Sequence, residues 1–197
     1  MSRQMLVLAS TSPRRIGLLR DFGIPFEAVD PGDAENSVSH DPITLVREHA
    51  IAKAESVAKK HPDRLVLAAD TIVVLDGKII EKPGSREEAK AMLRTLCGRT
   101  HTVISAVALI EKGHTDVRTE ETRVSMKKLG ESEIEAYVAT GEPMDKAGAY
   151  AAQGVGAFII ERVDGCFYNV VGLPMSLLYD MLKDAGVDAL VTRRQSI

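Results

Sequence analysis

The chain has 197 residues, 45% hydrophobic and 27% charged, which is typical of a globular protein and predicts one domain over residues 1–197. Its net charge of -3 disfavours nucleic-acid binding through basic residues, and 4% aromatic residues without Trp leave little surface for stacking many bases. Two cysteines outside any CxxC pattern predict neither a disulfide framework nor a zinc site, and no apolar run suits a membrane span, so we expect a cytoplasmic protein.

The first elements are predicted as a strand, a loop and a helix. Met5–Ala9 is a short apolar run, and apolar residues recur at helical spacing after Pro13. Ser12 is a typical N-cap residue, and Pro13 suits the first helical position because its missing N–H would lack a partner there. Gly23 predicts the end of this helix.

The segment LASTSPRR, which links the first strand to the first helix, favours an anion site. A helix N-terminus offers N–H groups without intrahelical partners, and its dipole attracts negative charge. Arg14 and Arg15 are electrostatically disfavoured there by about 0.3 to 1 kcal/mol, so they indicate a compensating anion such as phosphate. The alternative is an ordinary capped helix with solvated arginines. Because GxxxxGK[ST] and GxGxxG are both missing, P-loop and kinase chemistry are disfavoured.

The next segment is predicted as a loop over Val29–His40, followed by a helix that begins at Asp41 and Pro42 and ends near Lys60. Helical spacing places Lys53 at the edge of the apolar face, where its amine could point into a cleft. The residues predicted to share that face are Ile43, Val46, Ala50 and Val57.

Asp70 follows the apolar run Leu65–Ala69, which is predicted as a buried strand. An ionised carboxylate is costly to bury unless it binds a metal, a cation or several donors, so Asp70 is a candidate functional residue. The alternative is an Asp at a strand end that bonds the next turn. Thr71–Leu75 and Ile79–Ile80 then flank an Asp-Gly pair typical of a hairpin turn.

Two other charged residues permit two interpretations. Lys82 precedes Pro83 and could neutralise phosphate or be a solvated loop charge. Glu35 lies in the acidic loop sequence GDAEN, where solvation is the default explanation, yet a second carboxylate would help to hold Mg²⁺.

The rest of the chain mixes strands and helices without regular βαβ alternation, which favours an α/β fold with a mixed, twisted sheet. Ser85 and Glu88 predict a capping box. The predicted elements are a helix from Ser85 through Leu96, stopped by Gly98, strands over Val103–Ile110 and Thr119–Met126, a helix over Glu131–Ala139, a glycine-punctuated segment over Gly141–Gly156, a strand over Ala157–Val163 and a helix over Pro174–Ala185.

Gln153 lies in the glycine-punctuated segment, whose small residues would let a ligand approach the backbone. Its amide could match the O4 and N3–H edge of uracil or thymine, and adenine is chemically compatible as well. The alternative is a structural role, in which the amide stabilises the loop backbone. The five histidines show neither HxH nor HExxH spacing and are interpreted as structural or surface residues.

Several motifs in one order, LASTSPRR, AADTIV, EKP, LCGRTHTV, GEPMDKAGAYAAQG and NVVGLP, together resemble the Maf family of nucleotide pyrophosphatases. The resemblance covers about Leu6 to Leu182. It implies an α/β fold of the Maf/ITPase type, with a mixed twisted sheet flanked by helices in an elongated, two-lobed single domain with a central cleft. It also implies hydrolysis of a nucleoside triphosphate to the monophosphate and pyrophosphate by metal-assisted water attack on the α-phosphorus.

The same resemblance assigns roles to residues by matching position. Asp70 would be the catalytic proton acceptor and, with Glu35, would hold a divalent cation such as Mg²⁺, Mn²⁺ or Co²⁺. The combination of Arg14, Thr71 and Gln153 resembles the dTTP/UTP pyrophosphatases of the family. The other residues implied to bind substrate are Ser10, Arg15, Lys53 and Lys82.

Two other functions stay open at the level of sequence. One is a nucleotide-binding regulator of septum formation or cell division without useful turnover, and the other is a 7-methyl-GTP pyrophosphatase. Arg14 and Gln153 disfavour the second, because that group typically has Trp in the first motif and an acidic residue in place of Gln. The expected partner is a nucleoside triphosphate rather than nucleic acid or a membrane, and the resemblance makes a homodimer plausible.

Overall fold

The computed structural model describes residues 5–35 and 37–190. The strands are β1 (Leu6–Ala9), β2 (Phe26–Val29), β3 (Val66–Leu75), β4 (Lys78–Ile80), β5 (Thr100–Glu111), β6 (His114–Met126) and β7 (Ile160–Asp164). The helices are α1 (Pro13–Asp21), α2 (Pro42–Ala58), α3 (Arg86–Leu96), α4 (Glu131–Ala139), α5 (Phe167–Val171) and α6 (Met175–Asp184). Short 3₁₀ helices lie over Glu142–Asp145, Ala147–Ala149 and Gly154–Ile159.

Seven strands form one sheet in the described part of the chain, in the order β2-β1-β3-β5-β6-β7, with β4 paired to β3. β1 runs parallel to both β2 and β3, whereas β4 is antiparallel to β3 and β7 is antiparallel to β6. The predicted α/β fold with a mixed sheet and flanking helices is therefore confirmed.

The chain divides into two compact units. The first unit contains the chain up to Asp70, Ser105–Glu120 and the chain from Gly172 onward. The second unit contains Thr71–Ile104 and Glu121–Val171. One domain over residues 1–197 stays a prediction, and this range includes residues outside the described ones.

In the first unit, the apolar run of β1 is buried over its full length because β1 has a parallel neighbour on each side. The loop that follows β1 lies at the carboxyl end of a parallel strand, which is where open α/β sheets usually bind ligands. The predicted apolar face of α2 is buried at Val46, Ala50 and Val57. Ile43 is an exception, because 40% of its surface is exposed.

In the second unit, the core forms where α3 and α4 pack with the strands and with the segment after α4. Leu93, Val103, Tyr137 and Tyr150 belong to one buried cluster. Tyr137 precedes the glycine-punctuated segment Gly141–Gly156 and Tyr150 lies within it, so both buried rings anchor this segment to the core.

Local signals predicted several helix ends and turns correctly. Asp41 caps α2, since its carboxylate accepts a hydrogen bond from the Thr44 N–H at 2.8 Å. Asp76 and Gly77 both have positive φ in the β3–β4 turn, as an Asp-Gly hairpin requires. Gly98 has a φ of 70° after α3, where the sequence predicts the end of this helix.

Three local predictions need correction. Glu88 accepts from the Gly84 N–H rather than from that of Ser85, so only the Ser85 half of the predicted capping box forms. The strand predicted over Ala157–Val163 begins only at Ile160, because the preceding residues form a 3₁₀ helix. β2 and α5, which are only four and five residues long, are missing from the elements that the sequence predicts.

None of the helices in residues 5–35 and 37–190 is long and apolar enough to cross a membrane. Both cysteines, Cys97 and Cys166, are free thiols.

Candidate active site

The loop between β1 and α1 is ordered by its own side chains. Ser10 is buried, and its hydroxyl oxygen accepts a hydrogen bond from the Ser12 N–H at 3.2 Å. Pro13 occupies the start of α1, as predicted, and no acid among the described residues lies in the first helical turn. Arg14 and Arg15 therefore add positive charge to a helix terminus that is already electropositive.

Arg15 is anchored at the start of α1. Its Nε donates to the Gly172 carbonyl oxygen at 2.9 Å. Burial lowers the pKa of Arg15, while the charge of Asp70 raises it and that of Arg14 lowers it further. The positive charge of Arg15 thus acts on Asp70, and the phosphate-loop candidates and the carboxylate candidate belong to one electrostatic environment.

Asp70 and Lys53 form a buried ion pair. Lys53 is 8% exposed and Asp70 is 8% exposed, and Lys53 Nζ lies 2.7 Å from Asp70 Oδ1. The same ammonium also pairs with the carboxylate of Glu35, which is more exposed. The structure thereby brings together three residues that the sequence analysis selected from three separate segments.

Secondary structure explains why this pair forms. Lys53 is three residues from Ala50 and four from Val57, so the helical period places it on the buried face of α2 rather than at its edge. Asp70 lies inside β3, whose residues before it are continuously buried. The prediction that Asp70 lies within or at the end of a strand is confirmed.

Asp70 has a further partner in His49, which the sequence places among the structural or surface histidines. His49 Nδ1 lies 3.3 Å from Asp70 Oδ2, on the oxygen that Lys53 does not contact. The hydrogen bond to Asp70 raises the pKa of His49, although burial opposes this change. His49 precedes Lys53 by four residues, so both lie on one helix face, and this spacing is the signal that could have identified it.

The surroundings of Asp70 keep its carboxylate ionised. Burial alone would raise the pKa of Asp70. The hydrogen bond from His49 and the charges of Lys53 and Arg15 together outweigh burial and hold that pKa well below its usual range.

Three candidates lie in the second unit. Thr71 follows Asp70 in β3 and is partly buried, and adjacent strand residues point to opposite faces of a sheet. Lys82 is exposed just after β4, and the preceding Glu81 carbonyl accepts from the Gly148 N–H at 3.1 Å. This bond connects the Lys82 segment to the glycine-rich segment that contains Gln153.

Gln153 is exposed at the start of a 3₁₀ helix. Among the described residues, Tyr137 and Glu142 provide the side-chain hydrogen bonds to the backbone on both sides of Gln153. The exposed amide is therefore available to a ligand.

The family described as "Maf-like protein" matches residues 5–185. The chain belongs to the Maf family.

Curated relatives of this Maf chain are named dTTP/UTP pyrophosphatase. That of Symbiobacterium thermophilum is 48% identical over 184 residues, covering 93% of this chain and 95% of the relative. That of Pelotomaculum thermopropionicum is 47% identical over 188 residues, covering 94% and 98%. That of Dictyoglomus thermophilum is 43% identical over 192 residues, covering 95% and 100%.

A solved structure, that of the Staphylococcus aureus Ham1 protein, shares the fold. It matches with a TM-score of 0.51 and 17% identity, covering 91% of this chain and 98% of that one. At this identity the likeness concerns the fold alone.

The donor set of the Maf chain fits a hard divalent cation that is shared with a substrate. Asp70 and Glu35 present carboxylate oxygens to the same ammonium, that of Lys53, so both can reach one cationic group. Within the described residues, no three His, Cys, Asp or Glu side chains form a metal cluster. Two carboxylates completed by phosphate oxygens are the ligand set that Mg²⁺ commonly takes, whereas a cage made only of protein groups is not present among these residues.

Proposed function

We propose that this Maf chain is a nucleoside triphosphate pyrophosphatase that hydrolyses dTTP and UTP to the monophosphate and pyrophosphate. The relatives with this activity in their names align over nearly the whole chain. The structural observation that carries the proposal is the buried pair of Asp70 and Lys53, to which Glu35, His49 and Arg15 add their charges and hydrogen bonds.

Asp70 is proposed as the proton acceptor for the water that attacks the α-phosphorus. Its carboxylate is ionised at neutral pH and can therefore accept a proton. Phosphate oxygens would compete with Asp70 for the Lys53 ammonium, and loss of that contact would free a carboxylate oxygen of Asp70 to accept a proton. Substrate binding and activation of the base are thereby coupled through Lys53.

Asp70 and Glu35 are also the residues proposed to hold a divalent cation, with Mg²⁺, Mn²⁺ and Co²⁺ as candidates. Such a cation, when bound, supplies positive charge that polarises phosphoryl oxygens and favours loss of the pyrophosphate group.

The remaining charged candidates are proposed to neutralise the triphosphate. Ser10 and the first turn of α1 offer donors at an electropositive helix terminus, and Arg14 and Arg15 add two charges there. Lys82 is an exposed cation in the second unit. Positioning and charge neutralisation are the main tasks in phosphoryl transfer, so cationic side chains are the groups that a triphosphate substrate requires.

Nucleotide preference is proposed to depend on Arg14, Thr71 and Gln153. The Gln153 amide offers one acceptor and two donors, which match the N3–H and O4 groups of thymine and uracil. A cytoplasmic location and a homodimer are retained as predictions.

The function is tested with a panel of triphosphates, dTTP, UTP, CTP, ATP, GTP and 7-methyl-GTP, each with Mg²⁺, Mn²⁺ or Co²⁺. We expect pyrophosphate as the first product and the highest kcat/KM for dTTP and UTP. Orthophosphate as the first product would contradict attack at the α-phosphorus. Tight binding without turnover of any triphosphate would instead favour a nucleotide-binding regulator.

A further inference from the structure

The loop that presents Gln153 is held on its far side by one carboxylate. Glu142 Oε1 accepts from the Val155 N–H at 3.0 Å, and Glu142 Oε2 accepts from the Gly156 N–H at 2.7 Å. Hydrogen bonds to an ionised acceptor are roughly twice as strong as neutral ones. Two consecutive peptide groups just after Gln153 are thus fixed by a single side chain.

The near side of the same loop is held by Tyr137. The Ala151 N–H donates to Tyr137 Oη at 3.0 Å, and the Tyr137 hydroxyl donates to Glu142 Oε2 at 2.8 Å. Tyr137 is 4% exposed, and burial together with the hydrogen bond to Glu142 raises the pKa of its hydroxyl. The hydroxyl therefore stays protonated and links both ends of the loop through Glu142.

The loop backbone approaches these two side chains closely at two glycines. At Gly154, with a φ of 79°, a Cβ would lie 2.1 Å from Glu142 Oε1. At Gly156, a Cβ would lie 2.2 Å from the Ala151 carbonyl oxygen and 2.6 Å from Tyr137 Oη. The loop and the Tyr137–Glu142 pair are therefore built to fit one another.

We infer that Tyr137 and Glu142 are positioning residues that set nucleobase selection by fixing the backbone from which the Gln153 amide projects. This inference rests on the proposed function, in which Gln153 recognises the base. The three peptide groups that the pair holds, those of Ala151, Val155 and Gly156, flank Gln153 on both sides.

Pyrimidine chemistry explains why such positioning is needed. Thymine and uracil present an O4 acceptor and an N3–H donor, whereas cytosine presents a donor and an acceptor in the reversed arrangement. A Gln amide can match either pattern when it rotates by half a turn, because its oxygen and nitrogen then exchange places. This rotation leaves the backbone unchanged, so the orientation of the amide depends on the donors and acceptors around it. Tyr137 and Glu142 hold the neighbouring peptide groups in place, and constant polar surroundings favour one orientation of the amide. The pair is therefore expected to protect discrimination between thymine and cytosine more than it protects the chemical step.

The first test compares dTTP with dCTP in the full chain with a divalent cation present. For Y137F and E142Q, we expect the ratio of the two kcat/KM values to fall by about 10- to 100-fold, since a misplacement near 1 Å has effects of this size. We expect kcat for dTTP to change far less, because neither side chain is assigned to the chemical step. If one variant does not fold, the other carries the test.

Tyr150→Phe is the matched control. It removes the same atom from another buried tyrosine of the second unit, one whose hydroxyl contacts His101 rather than the Gln153 loop. Y150F should lose stability but keep the wild-type ratio. An equal change of the ratio in Y150F and Y137F would indicate a general structural effect and would overturn the inference.

A double-mutant cycle shows whether the pair acts through Gln153. Q153A should lower the same ratio, and adding Y137F to Q153A should change it little further, because the positioned amide is already missing. Additive effects, or a Q153A variant with the wild-type ratio, would overturn the inference.

Failure of the proposed function would be seen in the wild-type protein and can be distinguished from failure of the positioning inference. If the wild type prefers another triphosphate, the cycle is measured between its best and worst substrates. If it turns over none, the cycle is measured from dissociation constants for the same nucleotides. In either case, unchanged selectivity in Y137F and E142Q overturns the positioning inference independently.

Discussion

The surroundings of Asp70 and the loop around Gln153 are both polar, but they are held by different interactions. Asp70 is held by charged side chains, chiefly Lys53, His49 and Arg15. The Gln153 loop is held by its own peptide N–H groups, which donate to Glu142 and Tyr137.

This difference suits the two tasks proposed for these regions. The Lys53 ammonium forms ion pairs with both Asp70 and Glu35. It can exchange one of these carboxylates for a phosphate group when a substrate binds, so these ion pairs can change during a reaction. Backbone hydrogen bonds inside the loop do not need to break for a base to bind. In the proposed function, the region with exchangeable charges carries out the chemistry, and the region with a fixed backbone selects the nucleobase.

The largest effect is expected at the carboxylate itself. Asp70→Asn keeps the shape but removes the charge and the proton acceptor, so turnover should fall by about 10²- to 10⁴-fold while nucleotide binding is retained. Steady-state pyrophosphate release and calorimetric titration measure the two quantities. Asp63→Asn, at an exposed carboxylate of the first unit, is the control and should retain activity. Undiminished turnover in D70N would contradict the role.

Lys53→Met tests whether charge pairing stabilises the first unit. Removing one partner of a buried ion pair leaves the other uncompensated, which costs about 3 to 5 kcal/mol in free energy of unfolding. His49 and Arg15 still contact or attract Asp70, so we expect the lower part of this range. Urea unfolding at neutral pH measures it. Lys59→Met, at an exposed lysine after the same helix, should change stability by only about 0.5 kcal/mol or less. Equal losses in both variants would refute the argument.

Mild acid should destabilise the protein through His101, a buried residue of the second unit. Its Nε2 lies 2.7 Å from Tyr150 Oη, and burial lowers the pKa of His101 to about 4. Unfolding returns this pKa to about 6.5, so the unfolded state binds the proton first as the pH falls. His101 therefore costs about 3 kcal/mol of stability between pH 6.5 and pH 4. Asp70, whose pKa is lowered, loses its contribution only below about pH 4.

His101→Gln checks this pH window. Urea unfolding at pH 7, 5.5 and 4.5 should show a shallower decline in the variant than in the wild type. His114→Gln, at an exposed histidine, should retain the wild-type decline because solvent reaches that side chain in both states. A decline that is identical in H101Q and the wild type would contradict the role of burial.

The smallest expected effect is a difference in stability between two glycine variants, which distinguishes loss of the contact with Glu142 from backbone strain. Gly141 and Gly154 have nearly equal φ values of 78° and 79°, but a Cβ at Gly141 would meet nothing within 4 Å. Gly141→Ala should therefore cost about 1 to 2 kcal/mol for the left-handed backbone alone. Gly154→Ala should cost at least about 1 kcal/mol more, since it also displaces the Glu142 carboxylate from its hydrogen bonds. Equal losses would mean that the loop does not need this contact.

Local signals in the sequence predicted most of the fold. Asp41 before Pro42, the Asp-Gly turn and the apolar run before Asp70 each act over a few residues, and the structure has a cap, a hairpin and a buried strand at these places. The strand β2 was overlooked because Phe26–Val29 is short and only partly buried, so it lacks a clear apolar pattern. It forms by pairing with β1, a contact between segments that periodicity does not record.

Only part of the candidate site could be predicted from the sequence, because the rest depends on contacts between distant segments. Asp70 was conspicuous because a carboxylate after LVLAA is costly to bury, and Lys53 was placed near the apolar face of its helix. His49 gave no metal-binding spacing, and its importance depends on a contact with Asp70, 21 residues away. Glu142 and Tyr137 act on backbone groups of another segment, which side-chain motifs do not reveal.

Oxygen labelling tests most directly whether water attacks the α-phosphorus. The wild-type protein is given dTTP in water enriched in ¹⁸O with a divalent cation, and the separated products are analysed by mass spectrometry. Attack at the α-phosphorus places the label in the phosphate of dTMP and leaves the released pyrophosphate unlabelled. Label in pyrophosphate or in orthophosphate, with unlabelled dTMP or dTDP, would contradict attack at the α-phosphorus.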